Sequence, residues 1–272
     1  MCIRRVILIV VALGAISCAP VWAEDIPAFE KAFGWPALAN GYRSCVAVDD
    51  SQIYVGNGAE VTVFSRDGAS SGFWPISSLA RGVGTPLSST YTQSQVVAVA
   101  ATPTGTVYVA DGNYLAIHAY SSDGQYLLGW GGRGDPPAQL SPGHLIWGLS
   151  AAPDSSVYVL DWSAGWDVAD SVIRHYGADG ALLGMWPMPG PVPPYVMCSP
   201  LDMAAARDGG VWMLSATYDY STSGGDLGAV VVVDAHLYRY ASDGTEVSNW
   251  PVPTNATRIA IDPQGNVWVL EV

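Results

Sequence analysis

Two kinds of side chain in this sequence recur at spacings that could do chemistry. The first are oxygens that close a repeated β-rich phrase: Asn57, Asp111, Asp161, Ser215 and Glu271. Gathered near one axis they would suit a hard cation such as Ca²⁺, which takes roughly six to eight oxygen ligands. Asp111 and Asp161 are the candidate metal ligands. Carboxylates in such places also cap loops by accepting backbone N–H bonds, so both roles stand. The second kind are aromatics and carboxylates in the long connecting segments: Trp147, Trp162, Trp166, Asp167, Tyr195, Tyr218, Asp219 and Tyr220, with Tyr91, Asp170 and Asp226 in the same class of segment. Exposed rings beside carboxylates suit a sugar, a peptide or an organic cation, through stacking and hydrogen bonding. Packing loop on loop would use the same residue types.

Other chemistry is poorly supported. Of the four histidines, His118, His175 and His236 fall on or at the start of the third strand of a repeat, and His144 alone falls in a long connection. A zinc site needs three or four converging ligands. The sequence has no Gly-x-Ser-x-Gly, no His-Glu-x-x-His, no phosphate loop and no dinucleotide fingerprint. No catalytic residue is assigned, and the reading leans away from an enzyme.

These residues must be positioned by a unit that recurs five times. Each copy is an apolar run, a short turn, then a strand such as Val107-Tyr108-Val109-Ala110-Asp111 or Val157-Tyr158-Val159-Leu160-Asp161. Two more alternating runs follow in four copies, joined by Asp67-Gly68, Asp123-Gly124, Asp179-Gly180 and Asp243-Gly244. Asp-Gly between such runs signals a tight hairpin, because glycine accepts positive φ. The unit is thus a four-stranded antiparallel meander of strands a, b, c and d in chain order, and its repetition predicts an all-β ring of about five blades, a β-propeller. In that ring the a–b and c–d turns share one face and are short. The b–c and d–a connections share the other face, and the longest ones carry the aromatic and acidic candidates.

Closure has a signal too. Trp35-Pro36 repeats the Trp-Pro pairs that end fourth strands elsewhere and precedes the first repeat, whereas the last repeat stops at Val272 after two strands. The N-terminal segment is therefore expected to supply the outer strand of the last blade, with Ile26–Glu30 as a weaker candidate for its third. Counting first strands gives five blades; the abrupt end also permits a six-bladed ring cut short.

Composition bounds the partners. The formal charge is −13, from 24 acidic and 11 basic residues. No Lys/Arg cluster offers a footprint for nucleic acid or an anionic membrane. Arg4 and Arg5, the apolar stretch from Val6 to Ile16 and Val21-Trp22-Ala23 read as a signal peptide over residues 1–23, leaving one domain over 24–272. Cys18 offers an alternative lipoprotein anchor. Secretion or a periplasmic location follows, with no transmembrane segment expected after processing. Cys45 and Cys198 remain in the mature chain as separate thiols or as a pair.

The repeats resemble NHL repeats. Ile259-Ala260-Ile261-Asp262-Pro263-Gln264-Gly265-Asn266-Val267-Trp268-Val269 is the best copy. The resemblance implies a β-propeller over nearly the whole mature chain. It departs from the family at the start of the third strands, which lack Asn-x-Arg, and in the count of five. The function expected is non-catalytic binding of a ligand, protein, peptide or carbohydrate on the long-loop face, without a cofactor. The alternative is a lyase or lactonase-type enzyme with a metal in the channel.

Overall fold

A computed structural model of the chain describes residues 4–6, 45–84, 93–132, 144–163, 171–189, 196–219, 231–262 and 264–271. Its first described strand is β1 (Arg4–Val6). Four meanders follow, each pairing in sequence order. Blade 1 holds β2 (Cys45–Val48), β3 (Gln52–Asn57), β4 (Glu60–Ser65) and β5 (Ser70–Pro75). A short helix, α1 (Ser78–Arg81), leads on to blade 2: β6 (Val96–Ala101), β7 (Thr106–Asp111), β8 (Ala116–Ser121) and β9 (Tyr126–Gly131). Blade 3 holds β10 (His144–Ala151), β11 (Val157–Ser163), β12 (Val172–Tyr176) and β13 (Leu182–Pro187). Blade 4 holds β14 (Val196–Ala205), β15 (Val211–Asp219), β16 (Val231–Tyr240) and β17 (Glu246–Pro251). Blade 5 has β18 (Ala256–Ile261) and β19 (Val267–Glu271), with β1 on the outer edge of β19.

Blade 5 differs from expectation. β1 runs parallel to β19, pairing Arg4 with Trp268 and Val6 with Leu270, where an antiparallel strand was expected. An unpaired strand edge accepts either direction of backbone partner, and here the partner comes from the segment read as a signal peptide. Trp35 and Ile26–Glu30 lie outside the described residues.

The hairpins form as the Asp-Gly pairs dictate. Gly68, Gly124, Gly180 and Gly244 sit at φ 79 to 86°, a region closed to most side chains, and each N–H bonds the carbonyl three residues back. Inner strands pack neighbour to neighbour, β2 on β6, β6 on β10, β10 on β14 and β14 on β18.

Between blades the sequence repeats one device. The strand-d Trp lies over the glycine of the next blade's c–d turn: a Cβ added at Gly124 would come within 2.7 Å of Trp74, at Gly180 within 3.0 Å of Trp130, and at Gly244 within 2.7 Å of Trp186. Each of these indoles also meets a strand-b tyrosine of its own blade and a strand-c tyrosine of the next. The three sets are Tyr54–Trp74–Tyr120, Tyr108–Trp130–Tyr176 and Tyr158–Trp186–Tyr240, with ring centroids 5.6 to 6.2 Å apart. That spacing is the offset and edge-on range that aromatic pairs favour. Tyr108 donates its hydroxyl proton to the Ser155 carbonyl of blade 3 at 2.6 Å, and Tyr158 donates to the Gly209 carbonyl of blade 4.

Candidate functional site

The five inner strands surround one cavity of about 520 Å³, lined from Cys45–Val48, Val97–Ala101, Trp147–Ala151, Leu201–Met203 and Arg258–Ala260. Its wall is mostly Val, Ala, Leu, Ile and Met. Four of the inner strands carry a β-bulge at equivalent places: the register skips Val97, Trp147, Leu201 and Thr257. A bulge inserts one unpaired residue and re-aims its side chain. Val97, Trp147 and Leu201 thereby line the channel one step from the strand-b ends that pair with Val96, Ile146 and Pro200. The strand-b ends lie toward the face of the b–c and d–a connections, so the bulges ring that mouth.

Blade 3 concentrates the polar and aromatic groups there. Trp147 on β10 and Trp162 on β11 are half-buried and meet with centroids 4.7 Å apart at 53°. The Trp162 Nε1–H is enclosed without a hydrogen-bond partner among the described residues. Beside them, fully buried Asp161 accepts from Arg174 Nε at 2.8 Å through Oδ2 and from His144 Nδ1 at 3.0 Å through Oδ1. Burial pushes the Asp161 carboxyl above the usual carboxylate range, and Arg174 and His144 draw it back. An ionised carboxylate only accepts, so His144 carries its proton on Nδ1 and turns the lone pair of Nε2 away from Asp161. Asp161 thus orients an imidazole at the head of β10.

Asp111, the equivalent residue of blade 2, has a different set of partners. Its Oδ1 accepts from the backbone N–H of Gln95, Asn113 and Tyr114 at 3.0, 3.0 and 3.3 Å, and its Oδ2 accepts from the Ser78 hydroxyl at 2.6 Å. Ser78 Oγ in turn lies 2.7 Å from His118 Nε2. Since Ser78 donates to Asp111, His118 must donate from Nε2, which leaves a buried Nδ1 without a partner. Burial holds the His118 imidazole down at about 4; Asp111 pulls it up, and Arg81 adds a smaller push down. This is a sealed Asp–Ser–His chain that pins α1 against blade 2, with Ser78 wholly enclosed.

The remaining candidates divide. Tyr218 and Asp219 end β15, half-buried, where β14, β15 and β16 extend past the neighbouring blades toward the same face. Trp166, Asp167, Tyr195 and Tyr220 lie outside the described residues. Among the described residues, no group of three or more His, Cys, Asp or Glu stands close enough to hold a metal ion. Cys45 and Cys198 are free thiols on β2 and β14, and burial raises both, Cys45 to about 12. The sequence reading missed the bulge residues as a ring, Arg174 as the partner of Asp161, and Arg258 in the channel wall. An inner strand that is apolar throughout hides an inserted residue, although Trp147 among small neighbours was a signal.

No protein-family profile matches the chain, and no curated protein matches it. Solved structures do. The chain is similar to a catalytically inactive virginiamycin B lyase variant from Staphylococcus aureus, crystallised with quinupristin, at 12% identity and TM-score 0.53, covering 86% of this chain and 65% of that one. It is similar to a Lactobacillus plantarum protein at 16% identity and TM-score 0.51, covering 83% and 63%. The Neurospora crassa Pan2 WD40 domain aligns at 11% identity and TM-score 0.48, covering 82% and 63%. The chain is a β-propeller. It spans less than two thirds of each of these three proteins. Five sheets about one channel fit a propeller of about five blades, and no helix among the described residues is long and apolar enough to cross a membrane.

Proposed function

We propose that this protein is a non-catalytic, NHL-like β-propeller, secreted or periplasmic after loss of residues 1–23, which takes β1 from the edge of blade 5, and that it binds a ligand or protein through its long-loop face. The observation that carries this reading is the contrast between the mouth and the wall of the channel. The mouth gathers Trp147, Trp162 and an oriented His144. The side chains of the wall below are mostly aliphatic, without a second cluster of rings among the described residues. Rigid aromatics with a few fixed polar groups are the usual makings of a recognition surface. Trp166, Asp167, Tyr195 and Tyr220 in the long connections, with Tyr218 and Asp219 at the end of β15, extend the proposed surface.

The alternative, a lyase or lactonase-type enzyme with a channel metal, requires oxygen donors that converge. Asp111 and Asp161 instead direct both oxygens into hydrogen bonds and an ion pair of their own surroundings. The binding reading therefore assigns no resident cofactor.

The test is to probe glycan and peptide arrays with wild-type protein and with Trp162→Ala, checking the fold of each by circular dichroism. The expected result is a set of wild-type signals that the variant loses. Signals unchanged in Trp162→Ala would remove the loop-face site.

A further inference from the structure

We propose that the propeller channel is a binding site for an amphipathic carboxylate, with an apolar body between the inner strands and its anionic head on Arg258. This rests on the reading that ligands reach the protein at the long-loop face. At about 520 Å³ the channel lies within the roughly 300–1,000 Å³ typical of small-molecule sites. Among the described residues, aliphatic side chains of its wall stay open: Val46 is 62% exposed and Val48 50%. An aliphatic body removes that surface from water.

The polar groups of the wall determine the head. Ser150 Oγ accepts the Ala205 N–H at 2.7 Å, tying blade 3 to blade 4. Asp202 accepts from Met203 N at 2.9 Å through Oδ1 and from Ile259 N at 2.8 Å through Oδ2, tying blade 4 to blade 5. Both act as staples between blades. Asp202 also faces Arg258: burial raises its carboxyl, its two backbone N–H partners and the Arg258 charge draw it back, and no ion pair within contact distance joins the two among the described residues. Arg258 is exposed, and its one hydrogen bond among the described residues is from Nη1 to the Thr257 carbonyl at 2.7 Å. A guanidinium has five N–H donors in a planar fork that matches a carboxylate. A cation would be repelled here, and a neutral head would leave the fork unmatched.

Register supplies the orientation. Arg258 follows the Thr257 bulge as Gly148 follows the Trp147 bulge. Arg258 therefore stands level with Gly148, one residue below the ring of bulges at the mouth, and the body of the ligand extends down the channel toward the a–b turns.

Isothermal titration of the full mature chain with decanoate, decanol and decyltrimethylammonium, all below their micellar concentrations, tests this. Wild type should bind decanoate at one to one and more tightly than the other two. Arg258→Met, which keeps the apolar stem, should weaken decanoate about tenfold or more and leave decanol unchanged. Ala260→Trp, at an exposed wall position, should abolish decanoate binding by filling the channel. Absent decanoate binding, or decanoate binding indifferent to either substitution, overturns the inference. A wild type that loses array ligands on Trp162→Ala yet takes no decanoate overturns this inference alone and leaves the loop-face reading standing.

Discussion

At the scale of residues, two buried polar chains sit at corresponding strand ends and do different work. In blade 2, His118 stays neutral to about pH 4 in the folded state, while in the unfolded chain it titrates near 6.5. Above pH 6.5 both states are neutral and nothing is lost. As pH falls below 6.5 the unfolded state takes up a proton that the folded state refuses, so stability declines until about pH 4. Between pH 7 and pH 5 this costs about 2 kcal/mol. Urea unfolding of wild type and His118→Gln at those two pH values should show the wild type losing that much more than the variant. In blade 3, Arg174 is wholly buried against Asp161. Arg174→Met leaves the carboxylate without its cation and should destabilise by about 3 kcal/mol, read as a lowered urea midpoint at unchanged slope.

At the scale of elements, the strands and turns were legible because each rests on local chemistry. Alternating β-branched and aromatic residues made the runs, and the Asp-Gly pairs made the c–d turns where positive φ was required. The bulges were not legible, since a period of two cannot reveal an inserted residue in a strand apolar on both faces. Nor was the joining of Asp161 to Arg174 and His144, which depends on register across three strands. The blade-to-blade bonds came from the same repeats but needed coordinates to appear. Tyr108→Phe and Tyr158→Phe each remove one hydroxyl donated to the next blade and should each cost about 1 kcal/mol. The two hydroxyls share no hydrogen-bond partner, so the double variant should lose about the sum, as measured by chemical denaturation.

At the scale of the whole molecule, closure is what makes a propeller one cooperative unit, because an open ring leaves two blade faces uncovered. Each described strand-d Trp of blades 1 to 3 covers the following blade's Asp-Gly glycine. Trp35-Pro36 heads the same dipeptide as Trp74-Pro75 and Trp186-Pro187, so the rule predicts that Trp35 serves Gly68 of blade 1. Trp35→Ala should then cost about 3 kcal/mol or more, whereas a Trp in a loose leader would cost nothing. The same topology sorts connections between two faces, and the binding reading depends on that sorting. The most direct measurement is the affinity of an array-identified ligand for wild type, Trp162→Ala on the long-loop face and Asp243→Ala in a short c–d turn on the opposite face. The expected result is a loss of about tenfold or more in Trp162→Ala and wild-type affinity in Asp243→Ala. Equal binding by all three proteins, or a loss confined to Asp243→Ala, would contradict a site on the long-loop face.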